Sequence, residues 1–304
     1  MAHHHEHEVK TKKSLMTTMF LNFSITAAEI IGGVFSGSLS LISDALHNFS
    51  DAISIIISYF AMLISQKENN EKMTFGYKRA EILAALFNSV VLVVVSLYLF
   101  KEAYIKFFNP EPIDGLVMIV VALIGLLANA ISVFLLKENA EENLNIRSAY
   151  VHLLSDALSS VGVVIGGIFI YFFKIYWIDP LLTVLIGIYI IKESFEIINE
   201  SVSILMQGTP ENINLEIIKK EIEKLPNIKN IHHVHVWQTN DDDVHFECHV
   251  NLIDDFKLSQ AKEVMEQIEI VLDELFDIHH VTLQMEYECC ENVGLIKKVD
   301  DTIN

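Results

Sequence analysis

Two octapeptides in this chain share one plan. His47-Asn48-Phe49-Ser50-Asp51-Ala52-Ile53-Ser54 and His152-Leu153-Leu154-Ser155-Asp156-Ala157-Leu158-Ser159 both read H-x-x-S-D-A-[IL]-S. Residues four apart share a helix face, so each copy aims one imidazole and one carboxylate in the same direction. Two such helices facing each other supply two nitrogens and two oxygens at one point. That donor set suits Zn2+, and acceptably Cd2+ or Co2+, in a tetrahedral site; an all-oxygen set would favour Mn2+ or Mg2+.

Both copies lie inside long apolar stretches. Apolar windows fall at 15–35, 39–65, 80–104, 113–136, 148–173 and 177–203. Each supplies the ~20 residues a helix needs to cross a ~30 Å hydrocarbon layer. Six spans return both ends of the bundle to one side. Lys10, Lys12, Lys13, Lys67, Lys72, Lys78, Arg79, Lys137 and Arg147 lie at one set of span ends, against Lys101, Lys106 and Lys174 at the other. The excess of basic residues on the cytoplasmic side in membrane proteins places both termini in the cytoplasm. Span two then runs inward and span five outward. Asp51 lies ~18 Å below the start of its span and Asp156 ~13 Å above Arg147, at 1.5 Å per residue. The two motifs reach similar depths from opposite directions.

A carboxylate at mid-bilayer costs roughly 2.5–3.5 kcal/mol on insertion scales and usually marks function. Glu29, Asp44, Asp51 and Asp156 are all acidic within spans that offer no nearby lysine or arginine, so a bound cation is the natural partner. Of thirteen histidines, only His47 and His152 fall in residues 15–206, each four residues before an aspartate. Asp44 stands one turn before His47, where it would either back the ligands or pack helices. Glu29 would serve a proton or water path or a structural polar contact.

The chain is 304 residues long, 52% hydrophobic and carries a net charge of −19. From Gln207 onward there are 21 acidic and 8 basic residues, a balance of −13, which favours cations and disfavours nucleic acid as partners. Three cysteines (Cys248, Cys289 and Cys290) cannot build a disulfide framework, which fits a reducing compartment. The first residues, with His3, His4, His5 and His7, form a polar tract able to collect metal and carry no secretory signal pattern. The division expected is a tail at 1–14, a transmembrane domain at 15–206, a soluble domain at 207–291 and a tail at 292–304. In the soluble part, periodicity predicts a helix at Ile213–Leu225, strands at Ile228–Thr239 and Val244–Ile253, a helix at Ser259–Phe276 and a strand at Val281–Glu288. That α-β-β-α-β order fits a small ferredoxin-like α+β fold. Seven histidines crowd it: His232, His233, His235, His245, His249, His279 and His280. Period-two alternation sets His233 with His235, and His245 with His249, on shared strand faces.

The chain resembles the cation diffusion facilitator family, in its zinc-exporting branch. The matching pieces are Ser43-Asp44-Ala45-Leu46-His47 through Asp51, Phe75-Gly76-Tyr77-Lys78-Arg79-Ala80-Glu81, Asn143 to Tyr150 leading to His152 and Asp156, and Asp179-Pro180. The resemblance implies a homodimer that exchanges cytoplasmic zinc for protons by alternating access, with His47, Asp51, His152 and Asp156 as transport ligands. It also implies a regulatory zinc site in the cytoplasmic domain at His235, His249 and His279 or His280, with Glu286 and the Cys289-Cys290 pair as further candidates. The chain departs from the family in two places. Lys137 to Arg147 contains no histidine where the family often has a His-rich loop, and Cys289 and Cys290 are adjacent where the family has a separated pair.

Other classes fit less well. A membrane metallohydrolase needs an open coordination position and a base such as the Glu of H-E-x-x-H, and neither that motif nor G-x-S-x-G occurs. A zinc-permeable channel or a membrane-bound sensor is the closer rival, although a channel needs sites that are easily left. Ile-, Asn- and Lys-rich usage points to a bacterial source, and so to the cell membrane.

Overall fold

The structure, a computed structural model, describes residues 23–65, 67–137, 144–240, 243–289 and 294–296. The chain divides into two compact units, one of Met1–Tyr59 with Phe87–Ile198 and one of Phe60–Leu86 with Asn199–Asn304.

Six helices carry the apolar part: α1 (Phe23–Ser36), α2 (Leu39–Ser65), α3 (Arg79–Phe108), α4 (Gly115–Lys137), α5 (Leu144–Phe173) and α6 (Ile178–Leu205). Among the described residues, Arg79–Phe108, Gly115–Phe134 and Leu154–Phe173 are long and apolar enough to cross a membrane. The first unit buries acidic and amide side chains beside an apolar core of Leu41, Met118, Val163 and Ile170, and turns large apolar residues outward. Phe87, Phe134 and Phe172 are 65%, 78% and 69% exposed, while Glu29, Asp44, Asn129, Asp156 and Asp179 are buried. Water would not tolerate that inversion, but lipid requires it.

The start of α2 shows how such a unit is tied together. Ser38 is placed as its N-cap, and its hydroxyl accepts from Leu41 N at 3.2 Å. Asp179, in the first turn of α6, reaches across to the same place. Its carboxylate accepts from Ser38 Oγ at 2.5 Å, Leu39 N at 2.8 Å, and Ser40 N and Oγ at 3.1 and 2.6 Å. An anion at a helix N-terminus meets the unpaired N–H groups and the positive end of the dipole together. Pro180 beside it costs little, because a first-turn residue has no intrahelical N–H bond to lose. α1 and α4 approach closely at Gly125, where a Cβ would stand 2.6 Å from Glu29 Oε1.

In the second unit the order is α7 (Leu215–Glu223), β1 (Ile228–Gln238), β2 (Val244–Leu252), α8 (Leu258–Phe276) and β3 (His280–Tyr287). Each element lies within a few residues of its sequence expectation. Asn214 caps α7 by accepting from Glu216 N and Ile217 N. β1 and β2 form an antiparallel pair; the crossover through α8 returns β3 parallel to β2, as a β-α-β connection does. Ile218 and Ile222 of α7 and Val264, Ile268 and Leu272 of α8 pack with Ile231, Val234, Val236, Phe246, Cys248 and Val250 of the sheet. By strand alternation the opposite sheet face carries His245, Glu247 and His249.

One local departure decides what joins them there. His232 pairs with His249 and His235 with Glu247, so His233 and Val234 together stand opposite one residue of β2. This is a β-bulge, and His233 sits in it with φ 52. The extra residue shifts the alternation: Val234 turns to the core, and His232 joins His235 and Trp237 on the open face.

Replacing Asp179 with Ala removes the acceptor for two backbone and two hydroxyl donors. The purified protein should lose roughly 1–2 kcal/mol of stability and exchange amide hydrogens faster at residues 39–41. Unchanged melting and exchange would contradict this role.

Candidate metal centres

In the first unit, α2 supplies His47 and α5 supplies Asp156. His47 Nε2 lies 3.6 Å from Asp156 Oδ1, and both side chains are buried. The edge of Tyr189 from α6 closes one side, 6.3 Å from the His47 ring centre. One turn before His47, Asp44 is buried and accepts from Ser159 Oγ at 2.9 Å and Ser160 Oγ at 3.4 Å, so this carboxylate ties α2 to α5. Glu29 accepts from Asn48 Nδ2 at 2.9 Å. Asp51 and His152 fall within α2 and α5, and their side chains lie outside the described residues, as do His3, His4, His5, His7 and Cys290.

The open face of the second unit sorts its histidines into three groups. The first is His232, His249 and Glu286, whose ligand atoms all lie within 4.8 Å of one another. His249 Nδ1 is 2.7 Å from Glu286 Oε1, and His232 Nε2 is 3.2 Å from Glu286 Oε2. Burial by itself would raise the Glu286 carboxyl, but hydrogen bonds from Gln284 and Cys289 and the neighbouring His249 and His232 hold it below the usual carboxylate range. It is therefore an anion at neutral pH. The rings of His233 and His249 are 4.6 Å apart, and those of His233 and His235 are 5.0 Å apart.

The second group is His245 and His280, register partners with ring centres 4.2 Å apart. Trp237 stacks on His245 and Phe75 meets it edge-on. Burial first, and His280 next, hold His245 below the ordinary imidazole range. Asp243 stands beside it, 3.3 Å from His245 Nε2, and takes Lys78 Nζ at 2.5 Å. His279 forms the third group by itself on the surface, between Asp273 and Asp277. Of the residues expected at a cytoplasmic site, His249 and Glu286 are thus brought together. His235 lies one register position along, while His280 and His279 stand with other partners.

His232 was not in that expected set. Counting back by two from His235 lands on His233, and only the bulge turns His232 to face His249. Two imidazoles and a carboxylate fill three positions of a tetrahedral divalent site. His232 Nε2 and Glu286 Oε2 are both buried and, although 3.2 Å apart, make no hydrogen bond. Cys248, by contrast, faces the core, and burial pushes its thiol up to about 12, so it is no thiolate donor.

Known proteins carry the same two parts in the same order. Residues 15–206 match the family model described as the cation efflux transmembrane domain, and residues 210–288 match that of the cation efflux protein, cytoplasmic domain. The chain belongs to the cation diffusion facilitator family. A cadmium, cobalt and zinc/H(+)-K(+) antiporter of Bacillus subtilis is 37% identical over 95% of this chain and 93% of its own. The metal cation efflux system protein CzcD of Cupriavidus metallidurans is 36% identical over 95% and 91%, and the zinc transporter ZitB of Escherichia coli is 33% identical over 95% and 94%. The solved metal-bound C-terminal domain of a CzcD transporter is 30% identical and covers 24% of this chain and 99% of that one, with a TM-score of 0.22. This facilitator is accordingly a membrane protein that transports metal cations, and not an enzyme.

The Lys78–Asp243 pair gives the second unit a pH signature. Burial alone would raise the Asp243 carboxyl, but the Lys78 and Thr239 hydrogen bonds and the Lys78 charge lower it from 3.8 to about 2. A value depressed by folding stabilises above the unfolded pKa and is lost as pH falls through the folded one. The stability gap between the native protein and Asp243→Asn should therefore be full above about pH 4 and close toward pH 2. A gap that stays constant across that range in acid-unfolding curves would contradict the pairing.

Proposed function

We propose that this facilitator exports zinc, and with it cadmium and cobalt, from the cytoplasm in exchange for protons. The site is tetrahedral, with His47 and Asp51 from α2 and His152 and Asp156 from α5. The observation that carries this reading is the approach of His47 to Asp156 across two helices, 3.6 Å apart in a buried setting. The relatives support the reading, since one is named as an antiporter of cadmium, cobalt and zinc against H+ and K+ and another as a metal cation efflux protein. The chain would cross the cell membrane of a bacterium six times with both termini inside. Residues 1–14 would be a tail, 15–206 the transport domain, 207–291 a ferredoxin-like domain that pairs two copies, and 292–304 a second tail.

The coupling follows from the donors. Zinc needs neutral imidazoles and ionised carboxylates, so protons and metal compete for the same atoms. Facing the more acidic outside, protonation expels the metal; facing the cytoplasm, metal displaces the protons. Asp44 is committed to Ser159 and Ser160, so it positions α2 against α5 and leaves ligation to the residues one and two turns on.

In the cytoplasmic domain, His232, His249 and Glu286 would hold a regulatory zinc ion. When bound, it would add positive charge where two acidic domains meet and so ease their repulsion. His232 and His249, opposite each other on paired strands, fix the donor spacing, and Glu286 is kept ionised between them. His235 stands beside this site, and His279 and His280 are not used in it.

Reconstituted vesicles test the reading. Zinc should accumulate against its gradient when a pH gradient is imposed, and His47→Asp should shift preference toward Mn2+ by replacing a nitrogen with a harder oxygen. Replacing His232 and His249 together should leave transport intact but remove its activation by cytoplasmic-side zinc. Zinc flux indifferent to the proton gradient would sink the antiport reading and favour a channel.

A further inference from the structure

We propose that the cavity between the α2–α3 turn and the end of β1 binds an anionic phospholipid, with Arg79 holding its phosphate and an apolar rim taking the start of its acyl chains. The cavity has a volume of about 330 Å3, within the range of small-ligand sites, and all of it lies inside the second unit. Met73, Phe75 and Leu83 line it with Lys78 and Arg79, and Trp237 and Thr239 close the side nearest β1.

Charge is the first sign of what fits. The chain carries a net charge of −19, yet none of the residues lining this cavity is acidic and two are basic. Lys78 is paired with Asp243, so Arg79 is the cation whose planar fork of N–H donors suits a phosphate. Position is the second sign. Arg79 opens α3, a helix long and apolar enough to cross a membrane, so it stands where hydrocarbon gives way to water. Trp237 and Thr239 belong to the part that matches the cytoplasmic domain of the family. The cavity therefore lies at the cytoplasmic leaflet, whose surface is rich in anionic headgroups. Met73, Phe75 and Leu83 are exposed. A free phosphate would satisfy Arg79 but leave these three apolar side chains in water, whereas a lipid meets both needs.

The turn that presents these groups is held in one shape. Asn70 Oδ1 accepts from Lys72 N and Met73 N at 3.0 and 3.1 Å, and Asn70 Nδ2 donates to the Tyr77 hydroxyl at 3.2 Å. Gly76 N donates to Met73 O at 3.0 Å, and Gly76 adopts φ 74, a conformation that glycine takes without strain. A site ordered beforehand loses less freedom when it binds.

Trp237 lines the cavity and reports on it. The chain has two tryptophans; Trp177→Phe leaves Trp237 alone, and bromine quenches indole fluorescence at contact range. In full-length protein in detergent, phosphatidylglycerol brominated on its acyl chains should quench Trp237 saturably. Brominated phosphatidylcholine, which has no net charge, should not. Arg79→Gln should weaken the binding roughly fivefold, and Arg79→Lys should keep most of it. Raised salt should weaken it with Arg79 in place, which tests the same charge without a substitution. Equal quenching by both lipids, quenching by neither, or binding indifferent to Arg79→Gln and to salt would overturn the proposal. Release of the lipid by millimolar inorganic phosphate would assign Arg79 to a free phosphate ion and overturn the lipid reading.

Discussion

A carboxylate buried among hydrocarbon has to be met by donors or by a cation, and the helical unit is laid out around that requirement. Asp179 is met by the start of α2 through four hydrogen bonds. Asp44 is met by two serines of α5, and Glu29 by Asn48 of α2, with Gly125 making room for it. Each answer binds two helices to each other, so the polar groups that cost most to bury also set the packing. Asp156 is met differently. Among the described residues, its Oδ1 approaches the His47 imidazole at 3.6 Å, an arrangement in which a proton and a metal ion can replace each other.

The second unit solves a related problem on a sheet face. Alternation alone would put one histidine of β1 on the wrong side of the sheet. The bulge at His233 adds a residue and turns His232 toward His249, while the core face remains apolar through Val234 and Val236. Glu286 is held ionised between the two rings. The same sheet face, a few residues away, packs His245 under Trp237 and Phe75 beside Asp243 and Lys78. One short strand pair thus carries two polar clusters with different neighbours.

Much of this could be read from local pattern. Apolar windows gave α2 to α6 close to their observed bounds and the end of α1, whose expected start lies outside the described residues, and period-two and period-3.6 runs gave α-β-β-α-β in order. The repeated H-x-x-S-D-A pointed to α2 and α5 because spacing by four is a property of the helix itself. What escaped depends on distant or irregular backbone. Nothing local to Asp179 announces that its carboxylate caps a helix 140 residues earlier. Nothing in His-His-Val-His tells which residue will bulge, so alternation sets His233 beside His235, as the rings 5.0 Å apart bear out, but does not reveal that His232 joins them. The grouping of His280 with His245, and of His279 with Asp273, depended on the parallel return of β3, which sets register only once the crossover is in place.

The central claim is that α2 and α5 hold one metal ion between two imidazoles and two carboxylates. X-ray absorption at the zinc edge tests it most directly, on full-length protein whose cytoplasmic site is disabled by His232→Ala and His249→Ala. The account predicts one zinc with two nitrogen and two oxygen neighbours at about 2.0–2.2 Å, lost when His47 or Asp156 is replaced by Ala. A sulfur-containing or all-oxygen shell, or a shell unchanged by those replacements, would contradict it.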